Sequence, residues 1–457
     1  MRIRLRLESR LALLIGSVFG LPAVFLIPPA VTFDGPSHYF RSLQVSRGGI
    51  WPQVFSDRAV GGILPKSHVE FINSQWESYW ARHDFGTLAE WSASSSRSLE
   101  ATGNVRVEFT NTAVYSPANY ALQALGMGIS GLFSASPLSA HRAACLLNLA
   151  GYLAAVVSAL ELLPRFHKGA LILVSFPLAM IQAASVSADA INFAMPLLLL
   201  AYAWNLRERR ERASGRDMAI VLALGMLVVL LKPNAAAALT CLWLIPARHF
   251  SSGLAKTAAL CAYFACAAAV WFAWNRANMN VDVARWFEPS RPQLSVQKAW
   301  FFGDPRRFIH PLWHFLANDM IRQWPHMYAG VGGWIPPRLY GGLSWLSLIC
   351  LAGLAGSGSW NRRIDWIWAA GMGLQSFAVL TLIALALWIS FGTVEMDYIP
   401  GFTGRYLHLA TAGFAITWAE LFHAKLPRLR DGLSWIALAA NCAGLTAILV
   451  SIASRTA

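Results

Sequence analysis

Residues 118–134, ANYALQALGMGISGLFS, decide how the rest of this chain must be laid across a membrane. Hydropathy alone counts the stretch as a span. The basic clusters that follow it argue otherwise. Arg165/Lys168, the run 207–216, Arg248/Lys256, Arg362/Arg363 and Lys425/Arg428/Arg430 all sit in short segments between apolar runs, the pattern of cytoplasmic loops. If residues 118–134 crossed the membrane, the first two clusters would fall outside. If the stretch lies in the interface, every cluster falls inside. Its three glycines and scattered polar residues suit an interfacial or re-entrant helix.

The composition makes a bilayer the frame for this reading. Of 457 residues, 56% are hydrophobic and only 13% charged, against roughly a quarter charged in a soluble domain. Apolar runs near the ~20 residues that span a hydrocarbon core recur along the whole length. The formal charge of +14 is distributed between those runs and does not gather on a soluble face, so nucleic acid is not the expected partner. The six cysteines lie in or beside apolar runs without paired spacing in polar loops, which predicts neither a disulfide framework nor a zinc site.

The spacing predicts an all-α polytopic membrane protein, a single integral membrane domain over residues 1–457. Its spans are 11–29, 138–160, 168–184, 188–206, 217–231, 233–247, 254–274, 340–357, 366–390, 404–423 and 433–453. That is about eleven transmembrane helices, with the N-terminus in and the C-terminus out. The first run is longer than a signal h-region and lacks an A-x-A-like site, so it reads as a retained helix. Two large loops then stand outside: residues 30–137, carrying the juxtamembrane segment 118–134, and residues 275–339. The short spans 217–231 and 233–247 meet at Lys232-Pro233-Asn234, a break tolerated at membrane depth only where it is buried or lines a wet cavity.

Ionisable residues at the outer ends of spans are costly unless paired or used. Asp34 and His38 are four apart just after the first span, so a helix beginning near residue 37 lets both face one pocket, with Asp34 as a base or simply as the helix cap. Gln182 and Asp189 lie in the next outer turn, Lys232 follows in the short pair, and Arg405-Tyr406 opens the tenth span. A Lys and an Arg there suit a phosphate or pyrophosphate. Trp324 and Trp334 are weighed as sugar-stacking faces against an ordinary aromatic belt. No P-loop, G-x-G-x-x-G, G-x-S-x-G or H-E-x-x-H pattern occurs.

PPAVTFDGPSHYFRSLQVSRG resembles the opening of the bacterial membrane proteins called domain of unknown function 2142, which begin with a P-x-D-E-x-x-H-like motif. The resemblance continues through YSPANYALQALG, QAASVSAD, Leu231-Lys232-Pro233 and Gly404-Arg405-Tyr406. This chain has Gly35 where the family often has an acidic residue. That family in turn is similar to the C-type glycosyltransferases, which take a sugar from a polyprenyl-phosphate carrier. The resemblance implies catalysis by Asp34 with His38, and binding of the lipid phosphate by Lys232 and Arg405, in a pocket shaped by Asp189, Gln182, Tyr115 and Tyr406. It implies a polyprenyl-phosphate-linked sugar donor and membrane lipids as partners, with envelope-polysaccharide assembly proteins beside them. The place is the bacterial cytoplasmic membrane, with the site facing outward. The resemblance fixes no cofactor and leaves a divalent metal at Asp34 open. A transporter or flippase of a lipid-linked saccharide, and a non-catalytic component of a polysaccharide assembly, are the alternatives.

Overall fold

The computed structural model describes residues 5–456 apart from 57–58, 83–84, 134–135, 277–293, 330–336, 357–364, 394–395 and 422–426. Trp334, Arg362, Arg363 and Lys425 lie outside the described residues. The chain is mostly helical. Among the described residues five helices have the length and apolarity to cross a bilayer: Leu7–Leu26, Pro137–Leu162, Gly253–Arg276, Trp366–Phe391 and Asp431–Thr456. A helix rises about 1.5 Å per residue, so the shortest of these reaches about 30 Å.

Residues 118–134 do not join them. Pro117–Tyr120 is a 3-10 turn and Ala121–Gly131 an α-helix of 11 residues, about 16 Å long and far short of the hydrocarbon thickness. This helix packs on Pro137–Leu162 through Leu122, Gln123 and Gly126, which meet Gly151, Asn148 and Ala143, whereas Leu125, Ile129, Leu132 and Phe133 are exposed.

Two expected spans are interrupted. Residues 168–184 fold as His167–Val174 and Pro177–Ala183, because Pro177 cannot extend the first helix and holds Phe176 in an extended conformation. Residues 233–247 are chiefly a 3-10 stretch, Pro233–Leu244, entered through Lys232 in an extended conformation at φ −145° and ψ 137°. Pro233 dictates that geometry at the preceding residue. Helix starts elsewhere follow local capping. Thr87 with Glu90 and Ser214 with Asp217 form capping boxes, and Ser136 caps the helix that begins at Pro137.

The all-α expectation needs one correction. The first loop contains a three-stranded antiparallel sheet, β1 (Gln53–Val54), β2 (Val60–Pro65) and β3 (Asn104–Glu108), with helices Lys66–Arg82 and Leu88–Ser98 inserted between β2 and β3. Gly61 in β2 sits so close to its partner that an added Cβ would lie 1.9 Å from the Val107 carbonyl oxygen. Only glycine permits that approach.

Ion pairs mark one end of the bundle. Arg6 pairs with Glu161 (3.8 Å), Arg165 with Glu208 (2.6 Å) and Glu420 (3.6 Å), and Arg207 with Asp365. These residues lie at the ends of helices Leu7–Leu26, Pro137–Leu162, Asp189–Glu208, Trp366–Phe391 and Leu407–Leu421. At the opposite ends of four of these helices stand or follow Asp34, Asp189, Phe391 and Arg405. The basic girdle and the candidate site are therefore separated by the length of the bundle.

Candidate functional site

Asp34 ends the connection from the first helix in a left-handed conformation, φ 54°, and Gly35–Ser46 begins directly behind it with Pro36 in its first turn. Although Asp34 occupies the cap position, its carboxylate does not cap the helix. It accepts from Asn111 Nδ2 at 3.1 Å and from Arg405 Nη2 at 3.0 Å. A non-glycine residue held at positive φ stores local strain that the surrounding contacts must offset, a feature concentrated at functional sites. Gly35 is required by packing. An added Cβ would lie 2.4 Å from the Ala30 carbonyl oxygen, so no side chain fits at this position. Gly35→Ala is expected to cost roughly 1–3 kcal/mol and to displace Asp34. Thermal melting in detergent checks it, and an unchanged Tm would show that the backbone yields freely.

Asp189 begins the helix Asp189–Glu208 and is the most enclosed member of the cluster. Its Oδ1 accepts from Lys232 Nζ at 2.5 Å, and its Oδ2 accepts from Arg405 Nη1 at 3.2 Å and Gln182 Nε2 at 3.1 Å. The turn before it is clamped from beneath. Asn148 Nδ2 lies within 2.9–3.2 Å of the carbonyl oxygens of Gln182, Ala183, Ser185 and Ser187, and Gln123 Nε2 donates to Ser187 O and to Asn148 Oδ1, both at 2.9 Å. Lys232 Nζ rests over the rings of Tyr115 and Tyr406 at 5.5 and 5.4 Å, and the Arg405 guanidinium lies against Phe33 and Tyr406 at 4.7 and 5.1 Å. Such cation–π contacts strengthen as water is excluded.

These residues form one wall of a cavity of about 350 Å³. Asp34, His38, Asn111, Tyr115, Asp189, Lys232, Arg405 and Tyr406 supply its polar end, and Ile383, Ala386, Leu387 and Phe391, from the end of Trp366–Phe391, supply an apolar wall. The sequence-predicted residues thus converge, with Gln182 one bond behind the wall. Sequence reading missed Asn111, Tyr120 and Phe33. Asn111 belongs to the polar run Thr110-Asn111-Thr112 just ahead of Tyr115, which was the available signal.

Lys232 and Arg405 do not face the cavity as unpaired cations. Two carboxylates and two cations sum to zero formal charge, and exposure separates their roles. The Asp34 side chain is 35% exposed, against 7% for Asp189 and 11% for each cation. Asp34 is the acid that a bound molecule can reach, whereas Asp189 is locked. A divalent metal at Asp34 fits poorly. Both carboxylate oxygens already hold donors, two fixed cations stand beside it, and no group of three His, Cys, Asp or Glu side chains suited to a metal occurs among the described residues.

His38 is buried and shares a hydrogen bond with Tyr120 OH through Nδ1 at 2.9 Å. Burial pushes its pKa down to about 4, against the pull of Asp34. For Asp34, burial pushes the pKa up, but the Arg405 guanidinium and His38 outweigh it and hold the carboxyl below its ordinary value. Burial pushes the Tyr115 phenol up to about 12, partly opposed by Lys232. At neutral pH the cavity therefore presents a carboxylate, a neutral imidazole and a neutral phenol. Trp324, weighed as a sugar platform, instead donates Nε1–H to Thr411 Oγ1 at 3.0 Å and packs near Phe414, so its polar edge serves the fold.

Apolar helices bearing a charged, cavity-lined cluster at one end define a multi-pass membrane protein. The chain belongs to the family of predicted membrane proteins DUF2142, whose model matches residues 18–409. No curated protein and no solved structure matches it.

Proposed function

We propose that the protein is a membrane glycosyltransferase that moves a sugar from a polyprenyl-phosphate-linked donor to an acceptor hydroxyl on the face away from the cytoplasm, in building bacterial cell-envelope glycan. One observation carries the reading: Asp34 opens onto a cavity whose other wall is apolar. An amphiphilic donor has the same two halves, a sugar phosphate for the charged end and a prenyl chain for the wall at Ile383 and Leu387. The resemblance to C-type glycosyltransferases supports it, as does the basic girdle at the far end of the bundle, which the positive-inside rule assigns to the cytoplasm.

In this reaction the acceptor oxygen forms a bond to the anomeric carbon while the bond from that carbon to the phosphate oxygen breaks, and polyprenyl phosphate leaves with the electron pair. Asp34 takes the acceptor's proton. That transfer changes the cluster's charge: with Asp34 neutralised, Lys232 and Arg405 face Asp189 alone, and a net +1 remains beside the departing phosphate. Arg405 Nη2, released from Asp34, becomes available to it. Fixed charge of this kind stabilises a developing anion more effectively than solvent does. A single displacement inverts the anomeric configuration.

The rate is expected to be flat from roughly pH 5.5 to 8, because His38 titrates near 4 and Asp34 lies lower still, and to fall only as Asp34 takes up a proton in acid. A pH–rate profile of transfer tests this. An inflection near 6.5 that vanishes in His38→Gln would contradict it.

The second reading is a transporter or flippase for a lipid-linked saccharide. It is favoured by the breaks at Phe176-Pro177 and Lys232-Pro233, since discontinuous helices surround many transport sites. Proteoliposomes supplied with a polyprenyl-phosphate sugar and an acceptor separate the two. Release of polyprenyl phosphate with a glycosylated product supports the transferase, and movement of intact donor between leaflets supports the transporter.

A further inference from the structure

Behind the ion pairs lies a second cavity of about 30 Å³, walled by Asp189, Lys232 and Arg405 toward the first cavity and by Asn192, Phe193 and His408 on the bundle side. That volume has room for a water. Three buried polar atoms in its lining residues have no hydrogen-bond partner among the described protein atoms: Arg405 Nε, Asn192 Oδ1 and His408 Nε2. Buried polar groups are rarely left so, and three around one void point to a common partner.

The chemistry of the three atoms selects it. Arg405 Nε–H can only donate and Asn192 Oδ1 can only accept, since the Asn192 amide nitrogen is engaged by Ala188 O at 2.9 Å. His408 Nε2 donates or accepts according to tautomer, and its ring is held near Phe193 and Phe176 at centroid distances of 5.2 and 6.1 Å. A water, with two donors and two acceptors, meets all three in either tautomer. A metal cation does not, because Lys232 and Arg405 stand in the same wall and a guanidinium N–H cannot coordinate it.

We propose that this inner chamber binds one ordered water that accepts from Arg405 Nε and bridges it to Asn192 Oδ1 and His408 Nε2, making Asn192 and His408 positioning residues for Arg405. The two Nη atoms of Arg405 are fixed by Asp189 and Asp34. The water fixes the third edge, so the planar fork cannot turn away from Asp34. The geometry of the chamber is the same whichever reaction the outer cavity performs.

The test is an experimental structure of the full chain at a resolution that shows ordered solvent, together with thermal melting of His408→Leu and His408→Gln. The expected result is a single peak within about 3.2 Å of all three atoms. His408→Leu should lose the peak and lower the Tm, whereas His408→Gln, which keeps an acceptor and a donor, should retain both. A dry chamber in the wild type, a peak with the short contacts of a metal ion, or a His408→Leu variant as stable as wild type with Arg405 unmoved would overturn the proposal.

Discussion

If the proposed transfer is the reaction, Asp34→Asn is expected to lower its rate by roughly 10²–10⁴-fold, the usual contribution of a positioned general base, while leaving the fold in place. The substitution keeps the shape of the side chain and one carbonyl oxygen that can still accept from Arg405 or Asn111. It removes the proton acceptor and the charge that balances Arg405. Because the Asp34 side chain is 35% exposed, its charge is partly solvated and little stability depends on it. The check is transfer by purified protein in proteoliposomes, with melting of the same samples as the control for folding. A variant that transfers at the wild-type rate removes Asp34 from catalysis, and one that has lost its melting transition shows Asp34 to be chiefly structural.

Asp189→Ala has the opposite signature. Asp189 is buried between Lys232 and Arg405, and its loss leaves Lys232, itself 11% exposed, without its carboxylate. Removing one partner of a buried ion pair costs about 3–5 kcal/mol, because an uncompensated charge stays behind in a medium that solvates it poorly. The double variant Asp189→Ala with Lys232→Met should recover a large part of that loss, since both members of the closest pair then go together. A double-mutant cycle on unfolding in detergent measures the coupling, expected at about 1–3 kcal/mol. Additive single effects would show that the 2.5 Å contact contributes little and that Asp189 is held chiefly by Gln182 and the clamped turn. Together the two variants are expected to divide the cluster, the exposed carboxylate acting on rate and the enclosed one on stability.

The sequence made the site's ionisable residues legible for one physical reason. Asp34, His38, Asp189, Lys232 and Arg405 each follow or begin an apolar run, and a charge in such a place is too costly to keep without a partner or a use. Which partner each would take was not legible. Lys232 and Arg405 read as a phosphate site, and in the structure they hold two carboxylates, a pairing set by how the ends of four helices meet. Asn111 was missed because its only mark is polarity in an already polar loop. The sheet was missed because VGGILP does not alternate and because β2 finds β3 some 40 residues later, past two helices. The rejection of residues 118–134 as a span rested on basic clusters well downstream, and its physical counterpart is a helix of 11 residues. The break within 168–184 falls at Pro177, which a hydropathy reading passes over because it is blind to backbone geometry.

The central claim is that the charged end of the 350 Å³ cavity receives the sugar phosphate of a lipid-linked donor with Asp34 facing the anomeric carbon. The most direct measurement is an experimental structure of the full chain with a non-hydrolysable polyprenyl-phosphate sugar analogue. The account predicts the phosphate against Arg405 and Lys232, the prenyl chain along Ile383, Leu387 and Phe391, and the Asp34 carboxylate open to the sugar. A phosphate bound at the basic girdle around Arg165 and Arg207, or a sugar walled off from Asp34 by protein, would contradict it.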